Sequence, residues 1–239
     1  MKSLATLLIV AGLAYVAYEV ARLVYLMYVS RGLVAQAEKF ERGAGQRTML
    51  VLGDSTAVGV GVSGSQYSLA GRLAGALDAS VENRAESGAV TADLADQIAG
   101  ANRPTYDLIL IQIGANDVIG FRNADGAQDA LDGVLEKASG MSKRIVLLTA
   151  GKIGNAPLFP WFIRTLMTSR AADLRERFMA TAGEYGATYV DLYTIQDPFG
   201  SDPARYYAPD GLHLADDGYG FWYEATRAAT AAAWPDLYE

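Results

Sequence analysis

Beyond residue 47 the chain alternates between short runs that are apolar at nearly every position and longer segments in which apolar residues recur every three or four. The short runs predict strands over 48–52, 80–83, 107–113, 144–150 and 187–192. The longer segments predict helices over 67–77, 91–101, 124–139, 169–185 and 216–233. In Leu108-Ile109-Leu110-Ile111-Gln112-Ile113 almost no position is suited to a wetted face, so these strands call for cover on both sides. Strand and helix in alternation predict an α/β fold. We expect a three-layer α/β/α sandwich of flavodoxin-like type around a central, mostly parallel five-stranded sheet, with right-handed crossovers. Ligands of such sheets lie beyond the carboxyl ends of the strands.

The first thirty residues have a different pattern. Leu4 to Tyr18 is fifteen residues without a charge, and apolar character runs on to Val29, broken only by Glu19 and Arg22. About 20 helical residues cross a bilayer core, so this segment is long enough for a tilted transmembrane helix. A secretory signal is the rival reading. Ala35-Gln36-Ala37 has the small-x-small form of a cleavage site, but it lies far beyond the apolar core, and charges sit badly inside such a peptide. An uncleaved anchor over 1–30 is therefore expected, then a polar connector over 31–47 and a catalytic-type domain over 48–239. Glu19 and Arg22 fall on one helix face with Tyr15, Tyr18, Tyr25 and Tyr28 nearby. That face suits the headgroup level of a membrane; a helix–helix contact in a homo-oligomer is the alternative. Lys2 alone precedes the span while Arg31, Lys39, Arg42 and Arg47 follow it, so the positive-inside rule leans toward a cytoplasmic domain.

Composition narrows the chemistry. A net charge of −7 argues against a nucleic-acid partner. With no cysteine there is no disulfide and no thiolate nucleophile, and with a single histidine a zinc centre is not expected. No metal or other cofactor is called for. That histidine, His213, is the one side chain whose ordinary titration lies near neutrality, and Asp210 stands three positions before it. Far upstream, Ser55 follows the apolar run Met49-Leu50-Val51-Leu52. Asp54-Ser55, Gly88 and Asn116-Asp117 follow the first, second and third strands, and Asp210 and His213 precede the last helix. A parallel sheet brings all of these to one edge. A serine hydroxyl becomes a nucleophile when a base takes its proton, which His213 can do if Asp210 holds its other ring nitrogen. Such a base works only while unprotonated, so acid should abolish activity. Asp54 and Asp117 read as carboxylates bracing their loops.

These residues resemble the SGNH, or GDSL-type, hydrolase superfamily, whose signature blocks supply Ser, Gly, Asn and His. The matching runs are Gly53-Asp-Ser55-Thr-Ala-Val-Gly59, Asn83-Arg-Ala-Glu-Ser-Gly88, Gly114-Ala-Asn116-Asp117 and Asp210-Gly-Leu-His213. Thr56 departs from the leucine of the family name. The resemblance spans roughly residues 48–233. It implies an esterase or lipase with a Ser55–His213–Asp210 triad, an acyl-enzyme, and an oxyanion hole made of the Ser55 and Gly88 backbone N–H groups and the Asn116 amide. A rival G-x-G-x-x-G reading at Gly59, Gly61 and Gly64 fails, because its first glycine lies six residues past the strand end and Asp54 occupies the place of a pyrophosphate.

The stretch 155–167 carries Leu158, Phe159, Trp161 and Phe162 around Pro157 and Pro160. It reads either as core packing or as an apolar substrate-binding rim that holds an acyl chain or dips into a bilayer. With an anchor, the second reading favours acyl esters, lipid-derived ones among them. An O-deacetylase of carbohydrate or peptidoglycan is the alternative the family's breadth allows, and a non-catalytic membrane-tethered scaffold the alternative of another class.

Overall fold

The computed structural model of the chain describes residues 2–196 and 198–238; Met1, Asp197 and Glu239, two of which bound the expected segments, lie outside them. Five strands form one sheet: β1 (Arg47–Gly53), β2 (Ala79–Asn83), β3 (Leu108–Gln112), β4 (Ile145–Leu148) and β5 (Thr188–Val190). Their order is β2-β1-β3-β4-β5, and every adjacent pair is parallel. In β1 and β3 alternate residues serve opposite layers. Leu50, Leu52, Ile109 and Ile111 meet one helical layer, and Met49, Val51, Leu108 and Leu110 meet the other. A fully buried side chain of this size contributes about 1.5–3 kcal/mol, so a sheet sandwiched twice is strongly held in register.

The first layer contains α4 (Leu94–Ala99), α6 (Ala124–Met141) and α7 (Trp161–Glu184). The second contains α3 (Leu69–Leu77) and α9 (Asp216–Ala233), with Leu73, Tyr219 and Trp222 against the sheet. Three short helices, α2 (Ser55–Val58), α5 (Ala115–Ile119) and α8 (Pro203–Tyr206), lie in the connections.

Two helices run longer than the sequence pattern suggests. α7 starts at Trp161, eight residues before the expected 169. Pro160, extended at φ −57° and ψ 147°, precedes it as the N-cap, where the N–H that proline lacks has no intrahelical acceptor. Met167, Ala171, Leu174 and Phe178 then form its buried stripe. The N-terminal helix α1 (Lys2–Gln36) continues past residue 30 because Leu33 and Val34, with Ala37 and Phe40 beyond it, pack on the second layer. Its residues Ser3–Gln36 are long and apolar enough to cross a membrane.

Candidate active site

Ser55 is the first residue of α2, set there by the close approach of β1 to β3. Gly53 pairs with Gln112, and at φ +142° a Cβ on it would lie 1.9 Å from the Gln112 carbonyl oxygen, so only glycine fits. The Asp54 N–H can then donate to that same carbonyl at 3.0 Å. Gln97 grips Gly53 from the other side, accepting from its N–H at 2.8 Å and donating to its carbonyl at 2.9 Å. Asp54 caps α2: its Oδ1 accepts from the Thr56 N–H and hydroxyl, both at 2.8 Å. Thr56, the departure from the family name, therefore braces the turn that carries the serine.

The turn before α9 brings up the histidine. Asp210 Oδ1 accepts from the backbone N–H groups of Leu212 and His213, each at 3.0 Å, while its Oδ2 accepts from His213 Nδ1 at 2.5 Å. With its proton on Nδ1, the ring leaves Nε2 as an acceptor, and the Ser55 hydroxyl donates to it at 3.0 Å. The three groups thus form one continuous chain of hydrogen bonds from residues 158 positions apart. Burial on its own would raise the Asp210 carboxyl. The hydrogen bond and charge of His213, with the two backbone donors, hold it below its ordinary value. Asp210 is thereby an anion beside the imidazole, and its hydrogen bond to Nδ1 fixes the ring.

Gly88 and Asn116 face the same cavity as Ser55 and His213. Gly88, at φ +89°, has open space where a Cβ would project. The Asn116 amide donates one hydrogen to the Ala89 carbonyl at 2.9 Å, and its second hydrogen remains for another acceptor. The Ser55 N–H, at the start of a helix, has no intrahelical acceptor. Asp117 ties these loops together, since its Oδ2 accepts from the Thr91 N–H at 3.0 Å and hydroxyl at 2.9 Å. A serine hydroxyl, an imidazole that accepts from it and three amide-type N–H groups around one hollow are an arrangement able to attack a carbonyl and hold the resulting oxyanion.

The cavity encloses about 220 Å³. Its apolar walls come from Ile119, Ile153, Leu212, Phe199 and Phe221, and from Val34 of α1. The rim residues take different places. Phe159 is buried in the first layer and Leu158 is half-buried against it. Trp161 and Phe162 stand 72% and 57% exposed on the first turn of α7, edge to face with each other. None of the four lines the cavity. These apolar walls come from segments beyond β3, β4 and β5, from α9 and from α1, a set that no local sequence pattern marks. Among the described residues no group of three or more histidine, aspartate or glutamate side chains is gathered as a metal would need.

A family model for GDSL-like lipases and acylhydrolases matches residues 51–221. Among solved structures, the chain is similar in fold to phospholipase A1 from Streptomyces albidoflavus (18% identity, 78% of this chain and 99% of that one, TM-score 0.62). It is similar as well to an acetylxylan esterase, Axe2, from Geobacillus stearothermophilus (21% identity, 79% and 95%, TM-score 0.55). A third similar structure is LAE5, an alpha/beta hydrolase enzyme from a lake metagenome (20% identity, 80% and 97%, TM-score 0.62). No curated protein matches the sequence.

Asp54 Oδ2 is a buried carboxylate oxygen that meets no donor among the described residues. Burial pushes its carboxyl up from 3.8 to about 6, against the pull of Thr56 and His213. The folded protein therefore holds this proton more tightly than the unfolded chain. Its contribution is most favourable below the unfolded value and fades as pH rises from about 4 to about 6. Asp54→Asn keeps an oxygen for the Thr56 cap but cannot ionise. In urea titrations at pH 8 the variant should exceed the parent in stability by on the order of 1–3 kcal/mol, and the two should converge near pH 4. A constant difference across that range would contradict the burial argument.

Proposed function

The chain belongs to the GDSL-like lipase/acylhydrolase family, a family of serine ester hydrolases, and from that premise we propose that it is a membrane-anchored esterase acting on acyl esters, lipid-derived ones among them. The observation that carries this reading is the 3.0 Å contact between the Ser55 hydroxyl and His213 Nε2, with Asp210 on the far side of the ring.

In the proposed mechanism Ser55 Oγ attacks the ester carbonyl while its proton passes to His213 Nε2. Asp210 offsets the imidazolium that forms, without itself taking the proton. The carbonyl oxygen, now negative, is held by the Ser55 and Gly88 N–H groups and the Asn116 amide. As the intermediate collapses, the alcohol leaves with the proton from His213, and an acyl group stays on Ser55. Water then attacks the acyl-enzyme, giving its proton to His213, and the carboxylic acid departs as Ser55 recovers its hydrogen. Each half of the cycle starts and ends with a neutral imidazole, so the proton balance closes on His213 alone.

Anchoring rests on α1. A signal sequence and a membrane span share its length and composition, but its second half packs on the domain through Leu33 and Val34, which a peptide destined for removal has no reason to do. The apolar side chains exposed nearby on α7, Trp161, Phe162 and Leu166, suit the interface of a bilayer. The basic residues after the span lean, on the positive-inside rule, toward a domain on the cytoplasmic side. We take the anchor as 1–30, the connector as 31–47 and the hydrolase domain as 48–239, with α1 overrunning the first boundary.

Two outcomes test this reading. Asn116→Ala should lower kcat for p-nitrophenyl esters by about 10²–10³ while leaving KM within a few-fold, because the lost donor acts mainly in the transition state. A change confined to KM would remove Asn116 from the oxyanion hole. Trp161→Ala and Phe162→Ala should reduce turnover of bilayer-dispersed long-chain esters more than that of acetate. Equal losses at both chain lengths, in an enzyme that prefers acetate throughout, would favour the O-deacetylase alternative.

A further inference from the structure

α1 does more than leave the domain. Its residues 3–18 stand exposed, but from Glu19 onward one face turns inward: Glu19, Arg22, Leu26, Ser30 and Val34 are each partly buried at helical spacing. Arg22 is fixed by three hydrogen bonds. Its Nε donates to Glu19 Oε2 at 2.8 Å, Nη1 to the Pro157 carbonyl at 3.1 Å and Nη2 to the Leu158 carbonyl at 3.0 Å. The Leu158 N–H in turn donates to the Gly211 carbonyl at 2.9 Å, inside the turn that holds Asp210 and His213. A continuous line of hydrogen bonds therefore joins the N-terminal helix to the turn that carries the base. Further along the same face, Ser30 and Val34 line the very cavity that contains Ser55 and His213.

The depth of these contacts follows from length. A hydrocarbon core of about 30 Å takes about 20 residues at 1.5 Å each. Counted from Ser3, about twenty residues end at Arg22. The exposed stretch before Glu19 is too short to cross alone, so the Arg22 contacts and the exposed Trp161 and Phe162 beside them come to the membrane surface. At that level a charged guanidinium is acceptable because Glu19 and two carbonyls satisfy it. Ser30 and Val34, eight and twelve residues beyond Arg22 on the same helix, then stand about 12 and 18 Å above that level, so the cavity lies outside the hydrocarbon core, against the helix that emerges from it.

We propose that α1 is a wall of the substrate site: Ser30 and Val34 contact the acyl chain of a lipid ester that is drawn out of the leaflet along the helix to reach Ser55. Arg22 is a positioning residue, holding the 157–162 segment against α1. This deepens the esterase reading and rests on it. It also explains the half-buried inner face of a helix that a simple tether would leave bare.

The test uses the full chain in phosphatidylcholine nanodiscs and compares kcat/KM for p-nitrophenyl hexadecanoate and p-nitrophenyl acetate. Val34→Trp fills the wall and should lower the hexadecanoate-to-acetate ratio by about tenfold or more, whereas Val24→Trp, on the exposed side of α1, should leave that ratio within about twofold. Arg22→Gln should also lower the ratio, mainly by raising KM for hexadecanoate, and Arg22→Lys, which can still donate to one carbonyl, should recover part of it. Ratios that move alike in Val34→Trp and Val24→Trp, or do not move in either, would overturn the proposal. Fluorophosphonate labelling of Ser55 reports an intact site. If Val34→Trp loses it, Ser30→Leu, a smaller intrusion into the same wall, takes its place: a lowered ratio supports the wall and an unmoved one overturns it. An unsubstituted chain that neither labels nor hydrolyses any ester would defeat the esterase reading itself, whereas an active chain with an unmoved ratio defeats only the role of α1.

Discussion

The hydrogen bond from the Ser55 hydroxyl to His213 Nε2 is the constraint on which the rest of the structure depends. Two side chains from opposite ends of the domain must meet within about 3 Å, a tolerance that flexible loops do not hold. The parallel sheet supplies the coarse solution, since the end of β1 and the turn before α9 emerge at the same edge. The fine adjustment is local. Gly53 lets β1 touch the Gln112 carbonyl, Gln97 clamps the same peptide, and Asp54 caps the single turn that Ser55 begins. On the other side, two backbone N–H groups and the imidazole share the Asp210 carboxylate, which leaves the ring no freedom to turn.

This edge gathers three buried carboxylates, and their surroundings give them different parts. Asp210 has donors for both oxygens and stays ionised beside the ring. Asp117 has two donors from Thr91 on one oxygen, and burial raises its carboxyl, so it works as a strut between the Gly88 and Asn116 loops. Asp54 has the poorest surroundings, with one oxygen unpartnered, and burial lifts its carboxyl to about 6. An unpaired buried charge destabilises the fold, and proteins commonly accept such strain where a catalytic group must be held.

Much of this was legible in the sequence because it is local or periodic. The all-apolar runs of β1 and β3 required a doubly covered sheet, and the topology then sent Ser55, Gly88, Asn116 and His213 to one edge. The ends of the strands read too long at β4 and β5, because Ala150 and Leu192, apolar residues just past the ladder, continue the buried run and line the cavity. Pro157 and Pro160 read as a loop, yet Pro160 is a helix cap, and the apolar residues around it divide between core (Phe159, Met167) and surface (Trp161, Phe162). What stayed hidden was tertiary. Nothing in the spacing of Ser30 and Val34 shows that the N-terminal helix will fold back over the catalytic hollow, and Gln97 carries no mark of its grip on Gly53. Arg22 was visible as a charge in an apolar span, but its carbonyl partners lie 135 and 136 residues away.

The central claim is that an acyl group resides on Ser55 during turnover. The direct measurement is to quench the full chain in acid during steady-state hydrolysis of a p-nitrophenyl ester and map acylated peptides by mass spectrometry. The acyl mass is expected on Ser55 alone, lost on further incubation before the quench and absent in Ser55→Ala, which no longer turns over. Acylation at another residue, or hydrolysis that persists in Ser55→Ala, would contradict it.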